Sequence, residues 1–322
     1  MHPRPKLQLL ITSARLANLP SVVSNVWLGV ALGVLVARRW TPAAAPWSAA
    51  ALLALSGMLL YVGGNFLNDW HDRHWDARHR PERALPQGAF SPGLYLGLAI
   101  GCGMLGVIMA GLTGPGSALV ALAIVLCIVS YTRWHKQTLA SILLLGMCRA
   151  LLPVLYFIEW PLSCAKPGLT SALAETRMEL AVLAPHALAL LCYGVGLSWV
   201  ARGEAKTEPV ATGHGYARSL LAMAGLLMAS WYVSHVPLLG LAGLLPFTVW
   251  LTLCFTRFAK SPQVQVSALL AGLPLLDWVA LLPLSLSLIH RGTPIPFALT
   301  CLMLPPLAFV TGRLLQRLAS AT

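Results

Sequence analysis

The chain has 322 residues, 57% of them hydrophobic and 10% charged, with a net charge of +12, whereas a soluble domain carries about 25% charged residues. An ordinary globular interior cannot hide that much apolar surface, so the composition excludes a soluble fold and points to one embedded in lipid. Nucleic acid is not the expected partner of the positive excess, because Lys and Arg fall in short segments between apolar runs, as orientation in a membrane requires.

A membrane-crossing helix needs about 20 mostly apolar residues. Runs of that kind predict helices at 16–37, 47–67, 92–113, 116–132, 138–158, 181–201, 217–238, 240–257, 266–289 and 295–313. The fourth and eighth are short. The expected fold is therefore all-α, a polytopic transmembrane bundle of nine or ten spans, forming one domain over residues 1–322. With the N-terminus inside, sixteen Lys and Arg fall on the cytoplasmic side, five outside, and Arg149 lies within a span. That asymmetry predicts a cytoplasmic N-terminus, and the expected location is a bacterial inner membrane. No small-residue cleavage pattern follows the first apolar run, so a cleavable leader is not expected. The seven cysteines lie mostly in apolar runs without C-x-x-C spacing, which suits small buried hydrophobes.

The second run ends in Gly63-Gly64-Asn65-Phe66-Leu67-Asn68-Asp69-Trp70-His71-Asp72-Arg73-His74-Trp75-Asp76. On a helix Asp69, Asp72 and Asp76 share an arc of about 60°. Three carboxylates that close either raise one another's pKa or recruit a cation, and hard oxygen ligands favour Mg²⁺ bridging to a phosphate. Arg78, Arg80 and Arg83 follow directly and add anion-binding guanidiniums, the pairing a diphosphate requires. A solvated loop, in which Arg73, Arg78 or Arg80 pairs with the aspartates, is the other reading of the same residues.

Asn68-Asp69-x-x-Asp72-x-x-x-Asp76 resembles the N-D-x-x-D-x-x-x-D signature of the UbiA prenyltransferase superfamily, and residues 80–88 resemble the R-P-x-R-P-L-P-x-G segment that follows it, with Ala84 replacing a proline. The resemblance implies a UbiA-like bundle with a central cavity open to the cytoplasm, in which Asp69, Asp72 and Asp76 bind Mg²⁺ on an isoprenyl diphosphate. Arg15, Asn18 and Asn25 are similar to the family's opening helix, whose Arg and Asn face the substrate. Asn65, one turn before Asp69, is expected to face the same cavity. Tyr131 to Lys136 resembles the Y-x-x-x-x-K segment whose Lys contacts diphosphate. By the same resemblance Asn68, Arg83 and Tyr131 belong to the substrate-binding set.

The family's second acidic motif, which follows the sixth span, is replaced here by Arg202-Gly203-Glu204-Ala205-Lys206-Thr207-Glu208. Glu204 and Glu208 are candidates for a second metal site, with Arg202 as a candidate diphosphate contact, and a plain solvated loop is the alternative. This substitution, with Leu145-Gly146-Met147-Cys148-Arg149, most resembles the divergent EboC branch, encoded with bacterial clusters linked to export or maturation of secondary metabolites. Arg149 and Asp277 are ionisable groups inside spans and hence candidate functional residues. Arg149 is a candidate diphosphate contact or the cation of a purely structural pair, and Asp277 is an acceptor-side group or a buried partner for Arg149 or a backbone donor.

The expected activity is transfer of a prenyl group from an isoprenyl diphosphate to an aromatic or other small acceptor, with Mg²⁺ as cofactor, membrane lipid as surroundings and Lys136 beside the aspartates. A rival of a different class is a non-catalytic or transport-type protein of the same fold, handling a metabolite or lipid precursor, to which prolines such as Pro153 and Pro274 would contribute broken helices.

Overall fold

The computed structural model describes residues 5–36, 46–159, 169–203, 213–259 and 261–318. Glu204 and Glu208 lie outside them. A short helix α1 (Lys6–Ser13) leads through a 3₁₀ turn (Leu16–Asn18) into α2 (Leu19–Val36). The chain continues through α3 (Trp47–His79), α4 (Pro92–Gly111), α5 (Pro115–Trp134), α6 (Ser141–Phe157) and α7 (Leu169–Gly203). It closes with α8 (Gly213–His235), α9 (Pro237–Thr256), α10 (Pro262–His290) and α11 (Ile295–Leu318). No strand occurs among the described residues.

Each of the ten apolar runs corresponds to one helix, α2 to α11. Eight are long and apolar enough to cross a membrane, and α6, with 17 residues, is a shorter apolar helix. Only helices satisfy every backbone N–H and C=O within a single segment, which is what a hydrocarbon surrounding demands. Their outer faces confirm the solvent. Ile100, Met104 and Ile108 on α4, Leu119 and Leu126 on α5, and Leu238 and Leu245 on α9 are exposed. Polar groups run the other way, with Asn25, Ser24 and Asp277 fully buried.

The most enclosed helices are α2 and α10. Trp27, Leu28 and Leu32 of α2 share a core with Leu190 and Tyr193 of α7, Leu221 and Met228 of α8, and Leu276 and Leu281 of α10. The helices α6 and α10 continue unbroken through Pro153 and through Pro274 and Pro283, so these prolines do not produce the broken helices anticipated for a transporter.

Close approach between α2 and α6 depends on Gly29. A Cβ there would overlap the carbonyl oxygen of Pro153, a backbone atom that cannot swing aside. Gly29→Val is expected to destabilise the protein by about 3 kcal/mol, the upper end for overpacking, read as a fall in the unfolding midpoint in detergent. An unchanged midpoint would mean that α2 and α6 can separate without loss.

Helix α3 is what places the acidic residues. Its 33 residues extend about 50 Å at 1.5 Å per residue, well beyond a hydrocarbon core of about 30 Å. The apolar first two thirds fit the membrane, and the segment with the aspartates continues past it as rigid helix. There it meets Arg15, in the turn that leads into α2, and His135 and Lys136, which follow α5.

Candidate active site

Asp69, Asp72 and Asp76 are 7%, 7% and 2% exposed, so the three carboxylates face protein rather than bulk water. Charges buried in this way must be paired, and two sets of cations do so. Arg83 Nη1 donates to Asp76 Oδ2 at 2.8 Å and to Asp69 Oδ1 at 3.1 Å. The Arg83 side chain returns from the turns after α3, which are closed by Arg83 N–H to the Arg80 carbonyl and Gln87 N–H to the Arg83 carbonyl. Asp72 faces α5 instead, with Lys136 Nζ at 2.6 Å, His135 Nε2 at 3.3 Å and His71 Nδ1 at 3.4 Å. The Lys136 ammonium also lies 4.6 Å from the centre of the Trp75 ring.

Arg15 reaches the cluster from the opposite side. Its Nη1 donates to Asn65 Oδ1 at 2.7 Å, and its Nη2 is 3.8 Å from Asp69 Oδ1. Among the described residues it is the one non-glycine with positive φ (φ 50, ψ 46). A left-handed conformation costs an ordinary L-residue about 1–2 kcal/mol, and the surroundings here enforce it. Asn65 Nδ2 donates to the Ala14 carbonyl, and Leu9 and Ala14 pack with Phe66 and Tyr95.

The remaining candidates divide into those at the cluster and those removed from it. Asn68 belongs to the acidic segment, and its Oδ1 is buried without a hydrogen-bond partner. Tyr131 stacks on His135 with centroids 5.2 Å apart. Asn18 Nδ2 donates to the Tyr61 hydroxyl at 2.8 Å, deeper along α3. Arg202 of α7 donates to the carbonyls of His135 (2.5 Å) and Thr138 (2.9 Å), in the α5–α6 connection, and to Ser141 Oγ (2.7 Å) at the first residue of α6. It fastens the segment that carries Lys136. Arg149 bonds Ser21 and Asn25 within the helices.

The guanidinium that clamps the aspartates is Arg83. Arg73 donates to its own helix at the Trp70 carbonyl, and Arg80 lies over the Trp75 ring at 5.7 Å, so the solvated-loop pairing does not form through these two. His135 is the residue that sequence reasoning missed, and its only signal was adjacency to Lys136. His71, at a position that the N-D-x-x-D signature leaves free, also borders Asp72.

No group of three or more His, Cys, Asp or Glu side chains converges to hold a metal among the described residues, since Asp69 and Asp76 share Arg83 while Asp72 takes Lys136. The donor chemistry nonetheless fits a hard divalent cation. Carboxylates and an amide oxygen line one face of α3, and Asn68 Oδ1 is an acceptor awaiting a partner.

These features define a polytopic membrane protein with a cluster of paired, buried charges at the end of one long helix. The chain belongs to the UbiA prenyltransferase family, whose model matches residues 26–256. Over 87 residues it is 36% identical to the digeranylgeranylglyceryl phosphate synthase of Metallosphaera sedula, a match covering 27% of this chain and 31% of that protein. The chain thus spans less than a third of that relative's length. With the protoheme IX farnesyltransferase of Cereibacter sphaeroides it shares 26% identity over 265 residues, covering 77% of this chain and 80% of that one. A UbiA homolog from Aeropyrum pernix has the same fold, with a TM-score of 0.55 at 14% identity, covering 92% of this chain and 98% of that one.

Proposed function

We propose that the protein is an intramembrane prenyltransferase that binds an isoprenyl diphosphate at the α3 carboxylates and transfers the prenyl group to a small acceptor. The observation that carries this reading is the buried trio Asp69, Asp72 and Asp76 flanked by Arg83 and Lys136. A solvated loop would not bury three acids together, and a diphosphate needs both metal-binding oxygens and fixed cations.

Asp69, Asp72 and Asp76, with Asn68, are the residues that would hold Mg²⁺, which when bound supplies Lewis-acid stabilisation of the departing diphosphate. Arg83 and Lys136 set positive charge where negative charge accumulates on the leaving oxygen as the allylic C–O bond breaks, and preorganised charge of this kind is commonly the largest catalytic term. Arg202 holds the Lys136 segment in place. The acceptor attacks the allylic carbon as the diphosphate leaves, and the surrounding apolar helices keep water from competing.

The same reading places the N-terminus and the acidic mouth on the cytoplasmic side of a bacterial inner membrane, supported by the distribution of Lys and Arg. Glu204 and Glu208 would complete a second, reduced acidic motif. The Leu145 to Arg149 sequence supports membership of the EboC branch, and so an acceptor from secondary metabolism.

The test is incubation of purified protein with Mg²⁺, a panel of small aromatic acceptors and labelled geranyl, farnesyl and geranylgeranyl diphosphates, scored for diphosphate release. Metal-dependent release is the expected result. Tight binding with no release for any chain length would overturn the transferase and favour a carrier of the same fold.

A further inference from the structure

Arg149 and Asp277 lie in the middle of their helices, away from the acidic mouth, and the transfer as described gives neither a task. Arg149 Nη1 donates to Ser21 Oγ and Asn25 Oδ1, both at 3.1 Å, and its guanidinium lies 5.4 Å from the centre of the Tyr61 ring. Asp277 accepts from Ser24 Oγ at 2.5 Å and from Asn25 Nδ2 on both carboxylate oxygens, at 2.8 and 3.0 Å. The Asn25 amide is therefore a relay, accepting from the cation and donating to the anion. Its orientation is fixed at both ends, and it fixes Arg149 in turn.

What this network leaves over is informative. Asn25, Ser24 and Asp277 are sealed, while Arg149 keeps 9% of its surface. Nε and Nη2 donate no hydrogen bond among the described residues. These two N–H groups form the flat side of the guanidinium that grips oxygen atoms in its own plane. Tyr61, Asn65 and Asp69 are spaced four residues apart on one face of α3. A ligand held at Arg149 is thereby aligned toward the aspartates, about 12 Å away along the helix.

Charge decides what kind of oxygen fits. Arg149 is permanently protonated, and Asp277, an acceptor of three hydrogen bonds, balances it through Asn25. Adding a carboxylate or phosphate would leave one uncompensated negative charge in an apolar interior, which is strongly unfavourable. A neutral carbonyl satisfies the free N–H groups and leaves the balance intact.

We propose that Arg149, positioned by Asn25 and Asp277, seats the acceptor of the transfer reaction, and that this acceptor is an uncharged, carbonyl-bearing apolar molecule. The proposal rests on the transferase reading and names the substrate class of its second site.

The experiment compares 4-hydroxyacetophenone with 4-hydroxybenzoate, a matched neutral and anionic pair, by tryptophan quenching on the full-length protein in detergent. The ketone is expected to bind about tenfold tighter or better, the worth of a hydrogen bond to a charged donor. Asp277→Asn uncovers the Arg149 charge and is expected to reverse the preference. Should that variant fail to fold, Arg149→Lys keeps the charge but loses the planar fork, and is expected to lower ketone affinity about tenfold. Equal or tighter binding of the acid to the wild type, binding of neither probe, or an unmoved preference in a folded Asp277→Asn would each overturn the seat. Mg²⁺-dependent binding of labelled geranyl diphosphate, measured apart, reports on the acidic mouth. Its absence beside an intact ketone preference would defeat the transferase reading while leaving the neutral-ligand seat in place.

Discussion

Asp72→Asn is expected to lower metal-dependent diphosphate release by about 10²–10³-fold, the usual effect of removing one preorganised electrostatic contact from a reacting centre. Asparagine preserves the shape and volume of the side chain, so packing in α3 is retained and the lost quantity is charge. Asp72 is the carboxylate that α5 approaches, with Lys136 at 2.6 Å and His135 at 3.3 Å, and neutralising it leaves the cations of that side without their counter-charge. Labelled geranyl diphosphate with excess Mg²⁺ and an acceptor that the wild type turns over is the appropriate assay. A wild-type rate in the variant would remove Asp72 from the site and with it the metal role of the trio.

Arg83→Met is expected to act on stability as much as on activity. One nitrogen of Arg83 holds both Asp69 and Asp76, whose side chains are only 9% and 2% exposed. Removing one partner of a buried pair leaves an uncompensated charge, at about 3–5 kcal/mol. Methionine retains the aliphatic length, so the loss is electrostatic. Mg²⁺ is expected to recover part of it, because a cation offered to the same oxygens replaces the guanidinium. Unfolding midpoints in detergent, with and without the metal, provide the measurement. A midpoint that does not fall would show that the two aspartates need no clamp.

The helices were legible in the sequence because lipid imposes a length and a polarity that composition records directly, and each of the ten apolar runs has its helix. The face shared by Asp69, Asp72 and Asp76 followed from helical periodicity alone. What periodicity could not supply was the partner of each acid. Arg73 shares the aspartates' face by angle, yet it bonds the Trp70 carbonyl, while Arg83 reaches them through turns whose path no repeat encodes. Lys136 was legible by resemblance, and its neighbour His135 was not. The relay through Asn25 was hidden for another reason: Arg149, Asn25 and Asp277 lie on three helices, α6, α2 and α10, and only packing brings them together.

The Arg202 contacts carry a mechanical consequence. A single nitrogen of this residue grips two carbonyls on the segment joining α5 to α6 and a hydroxyl at the first residue of α6. The final turn of α7 is therefore tied directly to the stretch bearing Lys136. Arg202, the segment after α5 and Asp72 thus form one continuous chain of contacts from α7 to α3.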